Sequence, residues 1–105
     1  MTDSITATEL EALLKDKDKM TLLDVRRKAD YLASPRKISS ALWQDPENTG
    51  AWAKQWHKDR LTVVYCVRGG SVSRSVADQL HQEGLKAVFL EGGLQAWTEN
   101  GGAVE

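Results

Sequence analysis

The chain has 105 residues, 41% of them hydrophobic and 28% charged, with two prolines, which is enough apolar material for one core and lies away from disordered, collagenous and coiled-coil compositions. Fourteen Lys and Arg against fifteen Asp and Glu leave a net charge of -1, so overall charge supplies no long-range attraction to a phosphate backbone or an anionic lipid, and neither nucleic acid nor membrane is an expected partner. The lone cysteine, Cys66, excludes an internal disulfide framework and a cysteine-rich metal site.

Thr6-Ala7-Thr8-Glu9 reads as a capping box, followed by an apolar stripe of Leu10, Leu13 and Leu14, so a first helix is predicted to about Lys15. The charged stretch Lys15 to Lys19 reads as a solvated turn, and Met20 to Val25 is an apolar run of strand length. Arg26 to Ala33 forms a short helix around Tyr31 and Leu32. It stops at Ser34-Pro35, because a residue before proline is pushed out of helical geometry. Ala41-Leu42-Trp43 is a brief strand. Asp45 to Gly50 is turn chemistry leading to an amphipathic helix through Trp52 and Trp56.

Leu61 to Cys66 is the strongest strand, β-branched and almost uninterruptedly apolar, as suits a parallel strand covered on both faces. A helix carrying Val76, Ala77 and Leu80 is expected from near Ser73, with Gly84 in a left-handed position at its end. Ala87 to Leu90 is the next strand. Glu91-Gly92-Gly93 then turns into a closing helix around Leu94 to Trp97 that frays at Asn100-Gly101-Gly102. No linker, internal repeat or low-complexity tract appears, and the alternation of helix and strand argues for an open, mainly parallel sheet with helices on both faces. In such sheets ligands bind beyond the carboxyl ends of the strands, where Asp24 and Cys66 both lie.

A cysteine closing a strand is in isolation most simply a buried structural residue. Its context here reverses that reading. The loop after Cys66 contains Gly69 and Gly70, which allow backbone N–H groups to turn inward, and the next helix contributes the positive end of its dipole. With Arg68 and Arg74 close in sequence, the setting favours a thiolate and can hold an anion formed during a reaction.

Three stretches, Leu23-Asp24-Val25-Arg26, Val64-Tyr65-Cys66 before a glycine-containing loop, and Leu90-Glu91-Gly92-Gly93-Leu94-Gln95-Ala96-Trp97, together resemble the landmarks of single-domain rhodaneses. The resemblance implies one rhodanese-like α/β domain over residues 1–105, built on an open, mainly parallel five-stranded sheet flanked by helices on both faces. It implies a sulfurtransferase in which Cys66 takes a sulfane sulfur from thiosulfate or a related donor as a persulfide and passes it to cyanide or a thiol. Val67, Arg68, Gly69, Gly70, Ser71 and Val72 match the substrate-binding loop whose amides surround the transferred sulfur, and Arg68 would attract the anionic donor. Asp24 and Arg26 match the first-strand motif and are read as ion-paired and structural. No metal or cofactor is implied; a sulfur-relay protein is a further partner consistent with the family.

The sequence departs from the common family pattern in three places. Val72 stands near the loop end where a basic residue is usual, the count to Val76, Leu80 and Gly84 suggests one extra residue before the helix, and Ser34 to Ala41 replaces a Gly-His-Ile-Pro-Gly-Ala stretch. The chain is most similar there to a bacterial subgroup with Ala-Leu-Trp.

Two other functions fit the same cysteine. A phosphatase or arsenate reductase would use a thiolate in a comparable cradle, but its arginine six positions on is replaced by Val72, leaving only Arg74 to turn back. A persulfide carrier or interaction domain is the other, since fold alone does not fix function. Having no second cysteine, the chain needs an external thiol or partner to resolve a persulfide. His57 and His81 lack companions at ligand spacing and are assigned surface or capping roles. The four tryptophans are assigned to packing, with Trp43 and Trp97 as outside candidates for lining the pocket. No apolar run is long enough to span a bilayer, and Met1-Thr2-Asp3-Ser4 lacks the basic start of a signal peptide, so a soluble cytoplasmic protein is expected.

Overall fold

Five strands, β1 (Asp3–Ile5), β2 (Met20–Asp24), β3 (Leu42–Trp43), β4 (Leu61–Tyr65) and β5 (Lys86–Leu90), form one sheet in the order β1-β5-β4-β2-β3, and every strand pairing is parallel. The computed structural model describes residues 3–56 and 58–105; for residues 17–19 only the backbone is described, and the surface role assigned to His57 lies outside the described residues.

The helices divide between the faces by strand alternation, since successive side chains of a strand point to opposite sides. Leu22, Val63, Tyr65 and Leu90 pack with α1 (Ala7–Leu13) and α5 (Gly93–Glu99) through Leu10 and Trp97. Leu23, Val64, Ala87 and Phe89 pack with α3 (Thr49–Trp52) and α4 (Ser71–Gln82) through Trp52, Val76, Ala77 and Leu80. This is the expected open α/β sheet covered on both sides. Cys66 has the parity of Val64 and therefore emerges on the α3/α4 face, where α4 begins.

The capping box forms as predicted: Glu9 N–H donates to the Thr6 hydroxyl at 3.2 Å and Thr6 N–H to the Glu9 carboxylate at 2.9 Å. The helix is shorter than expected, ending at Leu13, and Leu14–Lys19 winds as a 3-10 helix with a non-helical kink at Asp16 instead of an open turn. The helix expected through Trp56 likewise changes pitch, from α at Thr49–Trp52 to 3-10 at Ala53–Gln55. Helix α2 (Lys28–Ala33) ends before Ser34-Pro35, as expected, and the chain from there to β3 is irregular, turning at Ser39-Ser40 where Ala41 N–H donates to Ile38 C=O at 3.0 Å.

Two expectations fail at the ends of the chain. β1 was not legible in the sequence, being three residues of which two are exposed; it exists because β5 offers a parallel ladder, closed by Glu91 N–H donating to Ile5 C=O at 2.8 Å. The tail does not fray at Asn100 to Gly102. Gly101, at φ +77°, reverses the chain, Gly102 N–H donates to Trp97 C=O at 2.9 Å, and residues 103–105 run antiparallel to Lys37–Ser39 through Glu105 N–H to Lys37 C=O at 2.8 Å. No helix is long and apolar enough to cross a membrane among the described residues.

Candidate active site

The apolar run of β4 ends on Tyr65, and the next residue, Cys66, sits at the carboxyl end of the central strand with only 6% of its surface exposed. Val67 to Gly70 make the whole connection to α4, which begins at Ser71 and not near Ser73. The helix therefore starts two residues earlier than expected, with Ser71 and Val72 in its first turn. Their N–H groups are among the donors that a helix start leaves without intrahelical partners. The N–H groups of Val67, Arg68, Gly69 and Gly70 also have no acceptor among the described residues.

The loop's shape comes from the far end of the sequence. Leu94 N–H donates to Cys66 C=O at 2.9 Å and Gln95 N–H to Val67 C=O at 3.0 Å, so the start of α5 satisfies the first two carbonyls of the loop. This contact requires glycine. Gly93 has φ +59°, and a Cβ there would run into Cys66 C=O and lie 2.6 Å from Gly69 N; Gly69 has φ +69°, with a Cβ 2.6 Å from Gly92 N. The Glu-Gly-Gly-x-x-x-Trp element thus acts as the seat of the cysteine loop, while its Trp97 anchors α5 in the opposite core.

Asp24 and Arg26 pair as expected, both buried: Arg26 Nη2 lies 2.8 Å from Asp24 Oδ2, and Nε donates to both carboxylate oxygens at 3.0 Å. The guanidinium also donates to Ser34 C=O at 2.7 Å and Arg36 C=O at 3.1 Å, which ties the Ser34 to Arg36 chain to the end of β2. Tyr65 completes this buried polar group. Its hydroxyl accepts Ile38 N–H at 3.1 Å, and burial first, then the Asp24 carboxylate, hold the phenol protonated far above its ordinary range. Trp43 stacks on Tyr31 with ring centroids 5.1 Å apart and donates to Arg26 C=O at 2.9 Å.

An open pocket of about 410 Å³ is lined by Cys66, Val67, Arg68, Gly70, Ser71 and Val72 together with Arg26, Arg27 and Asp30. Of the predicted loop residues, only Gly69 does not line it; that glycine is buried against the Gly92-Gly93 turn. Trp43 and Trp97 do not line it, and Arg74 does not turn back: its guanidinium lies 4.9 Å from the centroid of Phe89. His81, on the exposed side of α4, has Nε2 2.7 Å from Ala87 C=O, in keeping with its surface assignment.

Sequence reasoning missed Ser73, Arg27 and Asp30. Ser73 is fully buried with its hydroxyl 3.2 Å from Cys66 Sγ and 3.5 Å from Gly70 C=O. A thiol S–H donates to that hydroxyl; a thiolate would instead receive its O–H. The signal available was spacing, seven residues on from Cys66, but only the helix start at Ser71 turns that spacing into contact. Among the described residues no cluster of three or more His, Cys, Asp or Glu side chains gathers to hold a metal ion.

The rhodanese-like domain family model matches residues 6–100. Among solved structures, a rhodanese-related protein from Thermoplasma volcanium is 29% identical with a TM-score of 0.83, the match covering 98% of this chain and 97% of that one. A thiosulfate sulfurtransferase from Pseudomonas aeruginosa (23% identity, TM-score 0.84, 100% of this chain and 19% of that one) shares the fold. So does a protein from Rhodopseudomonas palustris described as a possible tyrosine phosphatase (24% identity, TM-score 0.86, 99% and 85% covered). Comparison with curated protein sequences gives no match.

Proposed function

The chain belongs to the rhodanese-like domain family, and on that premise we propose that it is a sulfurtransferase working through a persulfide on Cys66. The observation that carries this reading is that Cys66, almost fully buried, lines an open pocket together with Arg68 and a loop whose four amides have no acceptor among the described residues.

The first step is attack of the Cys66 thiolate on the outer sulfur of an anionic donor such as thiosulfate; the sulfur–sulfur bond of the donor breaks and sulfite leaves with the bonding electrons. The outer sulfur of the resulting persulfide carries negative charge, which the loop amides, the first-turn amides of α4 and Arg68 stabilise. Ser73 donates to the inner sulfur and steadies it as a leaving group. In the second step a nucleophile, cyanide or a thiolate, takes the outer sulfur and Cys66 departs as thiolate. No general base is required once the thiol is ionised; Cys66 is carried to the persulfide level at the expense of the donor's sulfur–sulfur bond and returns to thiolate in the second step, so the full cycle leaves no side chain oxidised.

A phosphatase or arsenate reductase would need a guanidinium gripping the oxyanion from the end of the loop. Val72 stands at that position and Arg74 is engaged with Phe89, so the geometry favours sulfur transfer. The test is intact-protein mass spectrometry after thiosulfate and then cyanide, on wild type and Cys66→Ser. A one-sulfur gain confined to wild type and reversed by cyanide is expected. No gain would overturn the reading and direct attention to arsenate and aryl phosphate substrates.

A further inference from the structure

Three arginines line the Cys66 pocket, and they are not equivalent. Arg26, with 2% of its surface exposed, is neutralised by Asp24 at 2.8 Å, and Arg68 belongs to the loop itself. Arg27 arrives with α2, as does Asp30 on the same wall, and none of the six residues of α2 is buried, so an apolar face packed on the sheet is not what holds this helix in place. Its fastenings are polar and aromatic. Trp43 Nε1 donates to Arg26 C=O at 2.9 Å, which fixes the peptide leading into Arg27, and Arg27 C=O accepts Tyr31 N–H at 3.0 Å. Trp43 also stacks on Tyr31, with ring centroids 5.1 Å and planes 15° apart, while the Arg26 guanidinium carbon lies 5.4 Å from the centre of the Tyr31 ring. Trp43 can act as an anchor because its own strand is tied to β2, with Trp43 opposite Asp24 in the ladder and Gln44 N–H donating to Asp24 C=O at 2.9 Å.

We infer that Trp43 is the positioning residue of this charged wall: gripping the Arg26 carbonyl and the Tyr31 ring, it keeps Arg27 and Asp30 at the pocket and so sets how Cys66 discriminates reagents by their charge, without itself touching them. Asp24 cancels the charge of Arg26, so the charges α2 adds to the pocket are those of Arg27 and Asp30, of opposite sign. Their influence on an incoming reagent depends on where they are held, because an interaction between exposed charges weakens with distance and is screened by salt. A helix released from Trp43 would spread both charges over many positions, and their effects at Cys66 would fade together. Trp43 does not line the pocket, which makes it a residue that acts through α2 and not on the reagent. The selection of a donor by this wall rests on the persulfide reading above; the charge discrimination of the Cys66 thiolate does not.

The experiment measures alkylation of Cys66 by iodoacetate, an anion, and by iodoacetamide, its neutral counterpart. In both reactions the thiolate displaces iodide and forms a carbon–sulfur bond, so the ratio of the two rates reports charge at the pocket and cancels any change in ionisation of the thiol. In otherwise unaltered protein, Arg27→Ala is expected to lower the ratio about two- to fivefold and Asp30→Asn to raise it by a similar factor. In the presence of Trp43→Ala each of these effects should shrink to about 1.5-fold or less, whereas Tyr31→Phe, which keeps the stacked ring, should preserve both. Tyr31→Ala, in a helix with no buried residue, repeats the comparison should Trp43→Ala not fold. Charge effects that are undiminished in the alanine variants would overturn the positioning role, and so would charge substitutions that leave the ratio unmoved in the parent protein. With thiosulfate, Trp43→Ala should shift KM while kcat stays within about twofold. A chain that takes up no sulfur overturns the persulfide reading alone, because the alkylation ratios do not depend on it.

Discussion

Leu94 N–H donates to Cys66 C=O over 2.9 Å, joining α5 to the residue proposed to carry the persulfide. The sulfur of Cys66 is therefore positioned by two elements, β4 behind it and α5 beside it, and the loop between β4 and α4 has little freedom of its own. Gly93 is the point at which this arrangement is most exposed to change.

Gly93→Ala is expected to cost about 2 kcal/mol or more, since a left-handed backbone is strained for alanine and the new methyl group meets Cys66 C=O and Gly69 N. Urea unfolding measures the loss, and sulfur loading should fall with it. A variant of wild-type stability and loading would show that the loop and α5 do not touch as described.

Asp24→Asn leaves the buried guanidinium of Arg26 facing a neutral amide, and the expected destabilisation is about 3–5 kcal/mol. The double replacement Asp24→Asn with Arg26→Met removes the orphaned charge and should recover part of that loss. If the double variant were as unstable as the sum of the single ones, the two residues would not be coupled through their ion pair.

Tyr65 gives stability a dependence on alkaline pH. Its phenol holds its proton in the folded chain while an unfolded tyrosine releases it at about pH 10. Above that pH the unfolded state binds fewer protons than the folded one, so folding stability falls as pH rises. Tyr65→Phe abolishes this contribution. Urea midpoints between about pH 9 and 11.5 should slope downward more steeply for wild type than for the variant; parallel slopes would contradict the buried, protonated phenol. The variant should also lose about 1–3 kcal/mol at neutral pH through the unpartnered Ile38 N–H.

Ser73→Ala removes the hydroxyl 3.2 Å from Cys66 Sγ. Sulfur loading from thiosulfate should slow by about three- to tenfold, the loss of one hydrogen bond to a charged sulfur, with little change in melting temperature. An unchanged loading rate would confine Ser73 to packing.

Arg68 lines the pocket, exposed and with no ion pair among the described residues, so Arg68→Ala should raise the KM for thiosulfate more than it lowers kcat, and high salt should narrow the gap between variant and wild type. Steady-state kinetics at two ionic strengths decide it. A KM that does not move would remove Arg68 from donor capture.

Neighbours along the chain decide the capping box at Thr6 and Glu9, the apolar runs of β2, β4 and β5, the stripe of α4, the glycine loop behind Cys66, and from their alternation the layered α/β sheet, and all of these are legible in the residues. Steric rules, hydrogen-bond reach and hydrophobic period all act within a few residues, so these features need no knowledge of the rest of the fold. The remainder depends on contacts between segments far apart in the chain. β1 forms because β5 is there to pair with it, and α4 begins two residues earlier than its apolar period suggests, placing Ser73 against Cys66. Arg74 packs on Phe89 instead of entering the loop, and Gly93 seats the loop from twenty-seven residues downstream of Cys66. Arg27 and Cys66 come to line one pocket for the same reason: contacts between segments distant in sequence are chosen by which surfaces the sheet brings together, and that choice is made by the packing of the whole chain.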